Sequence, residues 1–212
     1  MRVSGWKSAA SSLAILFCVV MLLSAAPAPP RPQSAQTAQS ATHEIALAFD
    51  PAQSKIHFNV DSTLHMVHGS FVLKSGSLQF DPQTGKASGA VVVNAVSGET
   101  GNTSRDQRLH KEILETWKFA DATFRPSQID GQASLTSPSD FKMKGIITLH
   151  GTDHELIADV HSEFNGDHWK GTAKFDVPYT KWGIKDPSNF LLKVKPVVNV
   201  ELELVGTKSN AQ

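Results

Sequence analysis

The chain has 212 residues with 20 basic and 20 acidic side chains, a hydrophobic content of 40% and a single cysteine. The first 42 residues hold three of the bases (Arg2, Lys7, Arg31) and no acid, which leaves seventeen basic against twenty acidic residues, a net of about −3 with His neutral. That balance argues against nucleic acid and against an anionic membrane surface as partners, because both need a basic footprint.

Arg2 and Lys7 precede an apolar run from Leu13 to Leu23, followed by Ser24, Ala25 and Ala26. A positive start, a short apolar stretch and small residues after it form the pattern of a secretory signal peptide over residues 1–26. The run falls short of the roughly 20 apolar residues that span a bilayer, and no second such run follows, so no stable membrane insertion is expected. Residues 27–42 are Pro, Ala, Ser and Gln with almost no large apolar side chain, the composition of a disordered spacer. The expected location is periplasmic or secreted. Cys18 lies inside the apolar run, so the exported chain is expected to lack a thiol, a disulfide and any cysteine metal ligand. Residues 43–208 then form one domain that must rely on a hydrophobic core.

Through that domain apolar and polar residues alternate. Ile56, Phe58 and Val60 share one face of a strand, opposite Lys55, His57 and Asn59. Phe71 and Leu73, then Leu78 and Phe80, carry the pattern on to a turn at Asp81–Gly85, where Pro82 presets φ and Gly85 can take a positive one. Ala90–Val96 is a nearly continuous β-branched run. Met143, Gly145, Ile147 and Leu149 alternate with lysines and Thr148. A tight connection at His150–His154 leads to Leu156, Ala158 and Val160, and later come Phe175, Val177 and Tyr179. The last strand places Val198, Val200, Leu202 and Leu204 on one side. Many short strands of period two indicate an all-β antiparallel sandwich or barrel.

Residues 99–124 break the pattern. Ser104-x-x-Gln107 has the form of a capping box, and Leu109, Ile113 and Trp117 at four-residue spacing predict one apolar face of a short helix around residues 104–118. Within it Arg105–Asp106 reads as a helix-start pair tying the loop to the strands, with an anion contact as the alternative. A second unusual segment, Tyr179–Phe190, is aromatic-rich; it suits a lid over a lipophilic space or a cluster packed under a loop.

Catalytic patterns are lacking: there is no G-x-S-x-G elbow, no phosphate loop and no dinucleotide glycine pattern. Nine histidines raise the question of a metal. His65 and His68 have strand spacing that sends them to opposite faces, and His150 and His154 straddle a turn, so neither pair builds a site. No catalytic residue, metal or cofactor is expected.

Taken together, Phe49-Asp50-Pro51-x-x-Ser54-x-Ile56-x-Phe58, the interruption with Thr100-Gly101-Asn102 and Arg105-Asp106, and Ile147-Thr148-Leu149-His150-Gly151 resemble the YceI-like family of exported lipid- and polyisoprenoid-binding proteins, over about Glu44 to Val205. The resemblance implies an eight-stranded, lipocalin-like antiparallel β-barrel holding a polyisoprenoid or other long-chain lipid in its apolar interior. On that reading the ligand-binding wall is Ile56, Phe58, Val60, Phe71, Leu73, Val91, Val93, Ile147, Leu149, Phe175 and Val177, residues that line either a cavity or a filled core. Two other readings stand beside it: a solid-core structural or interaction barrel acting through its loops, and a metal-dependent hydrolase using His65, His68 or His150. A homodimer is left open.

Overall fold

A computed structural model describes residues 44–209; the signal-peptide and spacer expectations for residues 1–42 lie outside them. Nine antiparallel strands follow in order: β1 (Ile45–Phe49), β2 (Lys55–Asp61), β3 (Met66–Phe80), β4 (Ala87–Glu99), β5 (Asp121–Gly131), β6 (Ser139–Leu149), β7 (Thr152–Asn165), β8 (His168–Val177) and β9 (Val198–Ser209). Each pairs with its sequence neighbour from β2 to β9, and β2 also pairs with β9, which closes a barrel. Every strand of the described residues is paired on both sides over at least part of its length, with β7 and β8 laddered only from Asp159 to Asn165 and from His168 to Lys174.

The eight staves expected from the sequence and the nine strands observed are the same object. β1 pairs with the far part of β3 (Ile45 opposite Phe80) and of β9 (Phe49 opposite Gly206), while β2 pairs with the near parts of those same strands (Ile56 opposite Phe71 and Leu202). One stave is therefore broken in two by the turn after Phe49, where Asp50 accepts hydrogen bonds from the Ala52 amide and the Gln53 side chain. The Asp-Pro step supplies the break, since Pro51 has no amide to donate to a ladder.

Connections alternate between the two ends. Residues 62–65, 100–120, 150–151 and 178–197 lie at one end, here called the mouth; residues 81–86, 132–138 and 166–167 lie at the other. The His150–Gly151 loop joins β6 to β7 in two residues with φ of 51° and 75°, the mirror-image turn geometry that matches strand twist. The far end is packed solid around Leu47, Phe49, Phe80, Ile129, Phe141 and Trp169. Phe49 stacks on Trp169 at 5.2 Å between ring centres, and the buried indole N–H donates to Ser162 Oγ at 2.8 Å, so that no polar atom of the plug is left unpaired there.

The helical interruption is shorter than its pattern predicted. α1 runs only from Thr103 to Arg108 and continues as a π-helical turn over Leu109–Ile113. Its cap is Asn102, whose side chain accepts from the Arg105 amide at 3.0 Å, so Ser104 does not act as the cap of a capping box. Glu115, at φ 46°, turns the chain out of helical conformation, and its carboxylate meets His150 Nε2 at 2.8 Å. Leu109 and Ile113 consequently face the barrel interior, whereas Trp117, expected on the same face, stands 76% exposed.

Candidate functional site

Between the plug and the mouth the barrel holds a cavity of about 570 Å³. Ten of the eleven residues assigned to the wall from sequence line it: Ile56, Phe58 and Val60 from β2, Phe71 from β3, Val91 and Val93 from β4, Ile147 and Leu149 from β6, Phe175 and Val177 from β8. They come together because side chains alternate strictly across a strand, so the inward phase of every stave converges on one axis.

Leu73 is the exception. It points inward but is only 1% exposed and packs into the core instead of bordering the cavity. A bulge follows it. Leu73 and Leu78 are five apart, an odd spacing that would send them to opposite faces; the register of β3 against β4 slips between Leu73 and Ser75 and restores both to the inside.

The sequence argument left out much of the wall. β9 contributes Val198, Val200, Leu202 and Leu204, and β6 and β7 contribute Met143 and Leu156. Their alternation was visible as strand pattern, and the same parity rule would have assigned them. What no local pattern could supply is the upper rim, where Leu109 and Ile113 of the insertion meet Ile184 and Leu192 of the long loop.

Aromatic rings reach into the interior over glycines. A Cβ placed on Gly69 would lie 2.2 Å from the Phe58 ring, and one on Gly171 would lie 2.3 Å from the Trp169 indole. Phe58 also packs on Phe71 at 5.1 Å. These rings fix the cross-section of the cavity, and the two glycines give them room.

The wall is graded in polarity. Apart from Thr172, every lining side chain with a hydroxyl or a charge belongs to the mouth end: Ser62, His65, Thr100, Ser104, Arg105, Arg108 and Tyr179. Arg105 Nε donates to Thr100 Oγ1 at 2.7 Å and its terminal nitrogen to the Thr100 carbonyl at 2.8 Å. Asp106 accepts from the Thr100 amide at 2.9 Å and from its hydroxyl. The Arg105–Asp106 pair thus grips one threonine from both sides and anchors α1 to the end of β4, while Arg105 remains on the cavity rim.

The 178–197 loop is held over the rim by several contacts. Lys185 pairs with Glu112 at 2.9 Å, which draws Glu112 below the ordinary carboxylate range. Val194 bridges to Ser62, and the Thr63 amide donates to the Lys193 carbonyl at 2.9 Å. Tyr179 and Ile184 are buried beneath the loop. Burial pushes the Tyr179 phenol up to about 12, with the Asp186 carboxylate beside it acting in the same direction. Asp186 is itself held low, chiefly by hydrogen bonds from Ser188. Trp182 stacks on His154 at 4.3 Å, which pins the loop to β7.

The histidines singled out for a metal are dispersed among other roles. His68 bonds Asn59 on the outer face, His150 bonds Glu115, and His65 sits on the rim. Among the described residues no three His, Cys, Asp or Glu side chains come together as a metal site.

With this geometry in view, the comparison with known families is decisive: the YceI-like domain matches residues 47–206, nearly the whole barrel. The chain belongs to the YceI-like domain family. Solved structures share the YceI-like fold at low sequence identity. BcnA of Burkholderia cenocepacia is 18% identical with a TM-score of 0.63, covering 75% of this chain and 99% of its own. A polyisoprenoid binding domain from Saccharophagus degradans, implicated in plant cell wall breakdown, is 15% identical with a TM-score of 0.58, over 78% and 99% of the two chains. The Campylobacter jejuni YceI protein is 16% identical with a TM-score of 0.51, over 68% and 82%. No curated protein sequence matches the chain at a significant level.

Proposed function

We propose that this YceI-like protein is an exported binding protein, periplasmic or secreted, that holds a long apolar lipid of the polyisoprenoid class inside its barrel. The observation that carries the reading is the apolar cavity of about 570 Å³ inside the closed barrel, well within the few hundred to 1,000 Å³ of ordinary ligand sites. Transfer of an apolar chain from water gains roughly 25 cal/mol per Å² buried, so a prenyl chain needs no charged contact along its length. The graded wall suits a molecule with one polar end: the chain lies toward the Trp169 plug, and the headgroup meets Arg105, Arg108, Ser104 or Tyr179 at the mouth. The structural neighbour from Saccharophagus degradans, described as a polyisoprenoid binding domain, supports the ligand class.

Binding is favoured over catalysis because the titratable side chains on the wall are confined to the rim, away from where the body of a lipid would lie. The volume also weighs against a solid-core barrel acting only through loops. Native mass spectrometry with lipid extraction, on protein recovered from its own cellular compartment, tests the proposal. A stoichiometric apolar lipid is the expected result; a ligand-free barrel that also fails to take up prenyl lipids would overturn it.

A further inference from the structure

The exposed apolar side chains of the barrel are not spread evenly. Of the eight large hydrophobic residues exposed among the described residues, five sit at the mouth: Leu64 (73%), Met66, Trp117 (76%), Phe190 (95%) and Leu191 (82%). None lies on the connections at the plugged end. Leu64 and Phe190–Leu191 are carried on two loops laced together by the Ser62–Val194 bridge and the Thr63–Lys193 hydrogen bond, and both loops contribute to the cavity rim. Side chains this exposed contribute nothing to the folded barrel, yet each keeps apolar surface in water, the pattern of an interaction site.

Charge is polarised along the same axis. The 178–197 loop carries Lys181, Lys185, Lys193 and Lys195 against Asp186 alone, while the rest of residues 43–212 has thirteen basic and nineteen acidic side chains. Connections at the plugged end bear Asp81 and Asp167 against Lys86. Lys185 and Lys195 are tied to Glu112 and Asp61, whereas Lys181 and Lys193 stand exposed on the loop that carries Phe190 and Leu191. The net negative charge that argues against an anionic surface is therefore an average over a basic mouth loop and a more acidic remainder.

We propose that the mouth is a peripheral docking surface for a lipid bilayer bearing anionic headgroups. Phe190, Leu191 and Leu64 enter the headgroup boundary, Trp117 lies at its level, and the loop lysines meet lipid phosphates, with the cavity opening facing the membrane. Interfacial segments combine these parts: apolar tips, an aromatic at the boundary and basic residues around them. A protein surface as partner would be served by a flat, shape-complementary patch; exposed single side chains on separate loops, one of them rich in lysine, suit a fluid one. The inference stands on the exposed surface alone and does not need the cavity to hold a prenyl chain.

The test uses the full chain with Cys18→Ser, nitroxide-labelled at Phe190→Cys or, as control, at Gln83→Cys on the plugged end, with vesicles of phosphatidylcholine and phosphatidylglycerol in equal parts and no prenyl lipid. A local probe separates docking at the mouth from any membrane contact of the N-terminal segment. The label at position 190 should gain contact with dissolved oxygen and lose contact with a water-soluble nickel chelate, while the label at position 83 keeps its solution values. Lys181→Glu with Lys193→Glu should weaken this shift about tenfold or more at low salt and less at high salt. Vesicle association with the position-190 label still reporting water would overturn the proposal, as would no association at all. So would dipolar broadening at position 190 from a second copy, which would make the mouth an interface between chains. If docking fails while the protein still yields a bound lipid on extraction, only this inference falls.

Discussion

Deleting the same atoms at two leucines separates a hollow barrel from a filled one. Leu73 is 1% exposed and packed on all sides next to the β3 bulge, so Leu73→Ala removes its transfer free energy and leaves a new void. Substitutions of this kind cost about 2–5 kcal/mol. Leu149 borders space that is already empty, so Leu149→Ala enlarges an existing cavity without creating one. Its cost reduces to the lost burial of the side chain, about 1–2 kcal/mol. In a domain of this size 1 kcal/mol shifts Tm by roughly 2–4 °C, which makes the two variants differ by several degrees. Urea unfolding of the delipidated protein, with m unchanged, gives the comparison. Ligand recovery should show the reverse order: Leu73→Ala keeps a wild-type lipid content, and Leu149→Ala loses part of it. Equal destabilisation by the two variants, with no change in lipid content for Leu149→Ala, would show that the upper barrel is solid core and that the cavity argument is wrong.

Phe58→Asp should abolish lipid uptake by placing a carboxylate in the apolar wall, and the conservative Phe58→Leu should retain it; uptake by a folded Phe58→Asp variant, as judged by circular dichroism, would remove Phe58 from the wall. Tyr179 is the one tyrosine of the chain, so an ultraviolet titration reads it directly and should give a midpoint near 12. Because the folded value lies above the ordinary 10, the neutral phenol's contribution to stability is complete below pH 10 and is lost as pH rises towards 12; a midpoint at 10 would mean that the loop does not bury it. Gly171→Ala drives a methyl into the Trp169 indole and should destabilise the plug by about 1–3 kcal/mol, with a shift in tryptophan emission that a surface change such as Gln83→Ala would not produce. His161, exposed between Asp140 and Glu163, should titrate above the ordinary histidine value in an NMR series and fall back towards it in Asp140→Asn.

Much of the architecture was legible because β alternation is a local property. A strand with one face in water and one face inside writes its orientation into every second residue, as in Ile56, Phe58 and Val60 or Val198 to Leu204. Where the local rule was applied without its exceptions, it missed. The odd spacing of Leu73 and Leu78 signalled a bulge that returns both to the inside, and parity alone did not tell that Leu73 belongs to the packed core and not to the cavity wall. The helix was placed a residue late at its start and several residues long at its end, since Asn102 outcompetes Ser104 as a cap and Glu115 leaves the helix to reach His150. Trp117 consequently moved from a supposed buried face to the surface.

By itself the sequence determined the strand content, the inward phase of the staves and the family, all of which depend on residue type and short-range spacing. Only the tertiary structure decided that the interior is hollow, because a cavity is the difference between the space the closed staves enclose and the side-chain volume that fills it, and neither quantity is local. It also decided that the apolar tips of loops 62–65, 100–120 and 178–197 share one end with the lysines. Residues more than a hundred positions apart, such as Thr63 and Lys193, become neighbours when the barrel closes, and a composition averaged along the chain has no record of it.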